Sequence, residues 1–305
     1  SLMMSMAHGD DRWTGLPVFT TRNFFHTGML VRKDSGIEKP EDLKGKRVGV
    51  PEYQQTAALW IRGALQHEFG VEPKDMEFHM EGVPEYQQTA ALWIRGALQH
   101  EFAVEPKDMT FWMERNPEHS HGAATGFKAP EGVTINQIPL EKSIGSMMLS
   151  GELDATLLYL VDPNLVDRST ADLWNHPDIK FLFPDRKAEG ARYYKATGLY
   201  PINHGMVVRR SIVDQEPWVM LNLLTAFQNA AKVADQRRVE QASYHAEAGL
   251  ISPEAAEALK QPMVTHGITA NRKVLETATQ YSFEQGLTPK LAKLEDIFGA
   301  STMEQ

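Results

Sequence analysis

Residues 49–81 return almost unchanged as residues 82–114, a tandem copy with a period of 33 residues. Only three positions differ: Gly70/Ala103, Glu77/Thr110 and His79/Trp112. Solenoids stack several drifted repeats; two nearly identical copies are the mark of a recent duplication inside an older fold. Each copy must therefore be one unit that the older fold already tolerated. Residues 46–50 read as a strand, and Pro51 suits the first turn of a helix. Ala57, Ala58, Leu59, Ile61, Leu65 and Phe69 then recur near helical spacing. Residues 75–80 are strand-like again, which makes the unit a βαβ crossover of a parallel sheet. The second copy repeats it, with residues 77–83 as its incoming strand and 109–113 as its outgoing one.

The flanks extend the same pattern. Residues 1–10 read as the tail of a helix closed by Gly9, and residues 29–31 as a short strand before the turn Asp34-Ser35-Gly36. Residues 115–132, rich in Gly, Pro, Ala and His, read as a long loop. A helix over 140–149 stops at Gly151, and buried strands follow at 153–159 and 205–210. The remainder is mostly helical: about 215–234, 237–248, 252–260 and 271–285, ending near Gly286. His26-Thr27-Gly28-Met29-Leu30-Val31-Arg32 is echoed by His204-Gly205-Met206-Val207-Val208-Arg209. Two such strands bracketing an α/β block suit crossovers between two lobes. We therefore expect one lobe from residues 1–33 and 205–305, and a second from residues 34–204.

Composition narrows the function. At 305 residues and 42% hydrophobic, the chain can bury a sizeable core. Its net charge of −9 argues against a general nucleic-acid or anionic-membrane binder, yet leaves room for a local basic pocket. The chain has no cysteine, which excludes thiol catalysis and zinc-thiolate sites. No apolar run approaches the ~18 residues that span a membrane.

The strand-to-helix turns carry the clearest chemical signal. A helix start offers free N–H donors and the positive end of its dipole, both suited to a carboxylate. The candidate anchors are Tyr53, Gln54, Gln55, Thr56 and Arg62 in the first copy, and Tyr86, Gln87, Gln88, Thr89 and Arg95 in the second. Arg22 and His26 precede the first proposed crossover and His204 the second, so the three face one ligand space if both crossovers line a cleft. Histidine there can move a proton near neutral pH. His119 and His121 lack a nearby third ligand, so no metal site is expected. No Walker A loop, dinucleotide-binding glycine pattern or Gly-x-Ser-x-Gly elbow is present.

Ser35-Gly36-Ile37 with Pro40 to Val50, and Leu149-Ser150-Gly151-Glu152-Leu153-Asp154-Ala155, resemble segments of type II periplasmic-binding-protein-like folds. Pro51-Glu52-Tyr53-Gln54, Trp60-Ile61-Arg62-Gly63, residues 195–204 and residues 281–287 together resemble the 4,5-dihydroxyphthalate decarboxylase family. Family members carry an additional N-terminal stretch before the region that residues 1–15 resemble. The resemblance implies a two-lobed α/β fold, here with a duplicated βαβ unit and a helical C-terminal part. It also implies cofactor-independent loss of CO₂ from an aromatic ortho-dicarboxylate to give a dihydroxybenzoate. The expected partner is a small anionic aromatic molecule, with a homo-oligomer or swapped segment as a further possibility. His26 and His204 are the candidate proton donors. The same fold also serves solute-binding proteins that capture a small carboxylate for an ABC-type transporter. A leaderless start suits a cytoplasmic enzyme, whereas a periplasmic location goes with the binding-protein alternative and an upstream leader.

Overall fold

The β-branched and aromatic runs condense into two sheets in a computed structural model, which describes residues 2–7, 9–50, 89–114, 131–157, 159, 169–262 and 264–305. The smaller sheet is an antiparallel pair, β1 (Trp13–Arg22) with β8 (Ile202–Arg209). The larger has six strands in the order β5-β4-β3-β6-β2-β7. These are β2 (Leu30–Arg32), β3 (Arg47–Val50), β4 (Thr110–Met113), β5 (Thr134–Gln137), β6 (Ala155–Thr156) and β7 (Ile179–Phe181). Strands β3, β4, β5 and β6 pair in parallel, and β2 runs antiparallel between β6 and β7. Val48, Phe111 and Ala155 are fully buried, as expected of a parallel sheet covered on both faces. The fold is mixed α/β.

The helices are α1 (Leu2–Ala7), α2 (Thr89–Phe102), α3 (Ile144–Ser150), α4 (Arg186–Thr197), α5 (Arg210–Gln215), α6 (Trp218–Glu247), α7 (Pro253–Ala258), α8 (Arg272–Glu284) and α9 (Leu294–Ile297). Helix α2 belongs to the second copy. It is buried almost all round, from Ala90 to Leu98, so it is a core helix. Its Trp93 Nε1–H donates to the Ile202 carbonyl at 2.8 Å and ties it to β8. Strand β3, which opens the first copy, pairs directly with β4, which ends the second: Arg47 lies opposite Thr110 and Val50 opposite Met113. No strand intervenes between them. The expected first-copy helix and strand, and the incoming strand at 77–83, lie outside the described residues.

Several boundaries differ from the sequence expectation for local reasons. The helix expected over 140–149 begins at Ile144, because Ser143 caps it by accepting the Ser146 N–H. It ends at Gly151 in the left-handed region, as expected. The strand expected over 153–159 contracts to β6. The helices expected at 215–234 and 237–248 are one 30-residue helix, α6, since no glycine or proline lies between them. Gly9 closes α1 with its N–H on the Met6 carbonyl. Strands β1, β5 and β7 and helix α4 were not anticipated. The two echoed strands are β2 and β8, and they belong to different sheets.

Candidate anion site beside strand β1

Pro17 has no N–H for the ladder, and the β1–β8 register slips between Leu16 and Phe19 and again before Thr21 and Arg22. The slip leaves Thr21 opposite His204 and Arg22 opposite Ile202. Arg22 reaches away from the ladder. Its Nη1 donates to the Tyr200 carbonyl at 3.2 Å, and its Nη2 donates to the Thr265 carbonyl at 3.2 Å and to Asn271 Oδ1. The guanidinium also lies 6.0 Å from the Tyr200 ring centroid. Every acceptor is a neutral oxygen. Among the described residues no carboxylate pairs with Arg22, and its buried Nε has no acceptor. Burial accordingly pulls the Arg22 pKa below the usual arginine value. A half-buried cation without a counter-charge is costly to desolvate. An anion about 4 Å away would return about 4 kcal/mol at an effective dielectric near 20.

His204 lies on β8 opposite Thr21, with Nδ1 2.7 Å from the Thr21 hydroxyl. Burial pushes its pKa down. His26 lies four residues beyond Arg22 in the tight turn Phe25–Gly28 and is 2% exposed. Its Nε2 is 3.0 Å from Glu189 Oε1 on α4, and its ring packs between Phe183 and Tyr193. Glu189 is also gripped by Arg192 through two hydrogen bonds of 2.8 and 2.9 Å, and Arg192 reaches Glu101 at 3.1 Å. Burial lowers the His26 pKa more than Glu189 raises it. Behind this chain an open depression of about 310 Å³ is lined by Phe183, Pro184, Asp185, Ala188, Glu189 and Arg192.

Arg22 and His204 thus lie on the two paired strands of the smaller sheet, while His26 is turned into the packing of α4. Arg95 is fully buried on α2, where its Nε donates to Gln285 Oε1 at 2.8 Å. Thr89 opens α2. Tyr53, Gln54, Gln55, Thr56, Arg62, Tyr86, Gln87 and Gln88 lie outside the described residues, as do His119 and His121. Among the described residues no group of three or more His, Asp or Glu side chains is arranged to hold a metal ion, and no helix is long and apolar enough to cross a membrane.

Sequence reasoning passed over His266 and Asn271. His266 Nδ1 accepts the Phe19 N–H at 3.2 Å, and Asn271 Nδ2 donates to the Thr265 and Gly267 carbonyls. The signal was present in His266-Gly267, the same doublet as His204-Gly205.

Residues 8–102 match the family described as NMT1/THI5 like. The chain is 28% identical over 307 residues to 4,5-dihydroxyphthalate decarboxylase of Comamonas testosteroni, covering 100% of this chain and 81% of that protein. It is 29% identical over 196 residues to the protein of the same name from Pseudomonas putida, covering 64% of this chain and 60% of that one. Among solved structures, the periplasmic aliphatic sulphonate binding protein SsuA from Escherichia coli aligns with a TM-score of 0.44 at 13% identity, over 99% of this chain and 78% of the other. The desulfurization enzyme DSZB aligns with a TM-score of 0.43 at 16% identity, over 99% of this chain and 82% of the other. The chain is thus similar along its whole length to a 4,5-dihydroxyphthalate decarboxylase, and over residues 8–102 to the NMT1/THI5 like family.

Proposed function

We propose that this protein removes CO₂ from an aromatic ortho-dicarboxylate of the 4,5-dihydroxyphthalate type, giving a dihydroxybenzoate without a cofactor. One observation carries the reading: Arg22 is a half-buried cation held, among the described residues, only by neutral oxygens, with His204 on the neighbouring strand. The names of the two relatives supply the reaction class.

The chemistry needs three things from the protein. The retained carboxylate is anchored on Arg22, aided by whichever helix start faces the ligand: residues 53–56 with Arg62, or Tyr86, Gln87, Gln88 and Thr89 with Arg95. Water is excluded from the departing carboxylate, whose negative charge is dispersed as the bond to the ring breaks. A ring hydroxyl para to that carboxylate pushes electron density onto the ring carbon that bears it, which prepares that carbon for protonation. His204 then delivers a proton to that carbon, with His26 as the other candidate. The cleft in this reading lies between a lobe of residues 1–33 and 205–305 and a lobe of residues 34–204. The setting in this reading is cytoplasmic.

Incubation with 4,5-dihydroxyphthalate, following CO₂ and ring absorbance, tests the proposal beside His204→Ala and His26→Ala. Turnover abolished in one variant names the donor. Calorimetric binding with no turnover in the wild-type protein would sink the decarboxylase reading in favour of solute capture.

A further inference from the structure

Residues 264–268 run beside β1 without joining either sheet, and three hydrogen-bonding groups strap them down. The Gly267 N–H donates to the Pro17 carbonyl at 2.8 Å, Arg22 grips the Thr265 carbonyl, and Asn271 bridges the Thr265 and Gly267 carbonyls at 3.1 and 2.7 Å. Gly267 adopts a φ of 97°, which a side chain would resist. This strap fixes His266. The slip at Pro17 releases the Phe19 N–H from the β1–β8 ladder, and His266 Nδ1 accepts it. A neutral imidazole that accepts at Nδ1 carries its proton on Nε2. Among the described residues that Nε2–H has no acceptor. Burial, and then the charge of Arg22, hold His266 below the usual histidine pKa, so the neutral tautomer persists near pH 7.

We propose that His266 donates its Nε2–H to the anionic aromatic ligand anchored by Arg22, as a second donor beside His204. The inference rests on the anion-site reading given above. The proton points to an oxygen of the ligand, either the retained carboxylate or a ring hydroxyl. Phe227 stands edge-on to the imidazole at 6.5 Å between ring centroids.

His266→Asn separates this role from a purely structural one, because its amide oxygen sits near the Nδ1 position and can still accept the Phe19 N–H. Phthalate serves as the probe, with calorimetry for affinity and histidine-selective ¹⁵N NMR for the tautomer. The expected result is an unchanged melting temperature, affinity weaker by about tenfold or more, as for one hydrogen bond to a charged group, and a free-state signal of the Nε2–H form that shifts on saturation. Unchanged affinity in His266→Asn alongside lost affinity in Arg22→Gln would overturn the donor role and leave the anion site standing. No binding of phthalate by the wild-type protein would overturn both.

Discussion

Gly96 on α2 lies against the ring of Tyr281 on α8: a Cβ at residue 96 would sit 2.0 Å from Tyr281 Cδ2. Tyr281 is 6% exposed and cannot swing away into solvent. Its ring is also stacked on His100 at 4.8 Å, and His100 in turn contacts Glu284 at 2.6 Å. The second-copy helix is thus seated on α8 at a distance only glycine permits.

Gly96→Ala is therefore destabilising, although alanine is the better helix former by about 1 kcal/mol. Overpacking in a filled core costs about 1–3 kcal/mol or more, so a net loss of about 2 kcal/mol is expected in urea denaturation at constant m-value. In a Tyr281→Leu background the same substitution costs less, since the two sites touch.

Ala103, just past the end of α2, has a φ of 51°, the one positive value at a non-glycine among the described residues. The first copy carries Gly70 at the matching position. A side chain in the left-handed region costs about 1–2 kcal/mol, partly offset by the smaller unfolded-state entropy of alanine. Ala103→Gly is expected to stabilise the protein by about 0.5–1 kcal/mol, read as a rise in melting temperature. A drop would contradict the assignment of α2 and its cap.

The direct pairing of β3 with β4 makes one period of the repeat dispensable for the sheet. Deleting residues 50–82 joins Gly49 to Val83-Pro84-Glu85, the same sequence that follows Gly49 now. The shortened protein is expected to melt cooperatively with unchanged far-ultraviolet dichroism. Aggregation or a lost transition would show that residues 50–82 are needed to complete the core.

His26 makes stability depend on pH in a defined direction. Its folded pKa is depressed by burial against the pull of Glu189, with Arg192 and Glu101 the other charges facing it. The unfolded histidine binds a proton near pH 6.5. Its contribution is therefore present above that pH and is lost as pH falls below it toward the folded value. His204 and His266, also depressed by burial, act in the same direction. His26→Gln is expected to flatten part of the acid limb in denaturation measured between about pH 7 and pH 5; an unchanged limb would assign it to other groups.

The parallel sheet, the core helix of the second copy and the glycine stop at Gly151 were legible in the sequence, because each rests on local periodicity or turn chemistry. Strand β1 was not, since Pro17 interrupts its pattern and the bulge after it breaks the period-two alternation. The placement of Arg22 and His204 on paired strands was not legible in the echo, whose two strands, β2 and β8, belong to different sheets. The neutral acceptors around Arg22 among the described residues, and the strap through Asn271, are long-range facts, fixed by residues 243 and 249 positions away in the chain. His26 illustrates the opposite limit: its sequence context marks a histidine near a strand, but its partner Glu189 comes from a helix the periodicity did not reveal.

The most direct test runs the reaction in deuterium oxide with 4,5-dihydroxyphthalate carrying ¹³C-labelled carboxyl groups. One labelled CO₂ should leave per dihydroxybenzoate formed, and the vacated ring carbon should carry one deuterium. Arg22→Gln should slow both by about a hundredfold, as expected when a positioning contact is removed. Wild-type protein that binds the compound yet releases no labelled CO₂ would contradict the account.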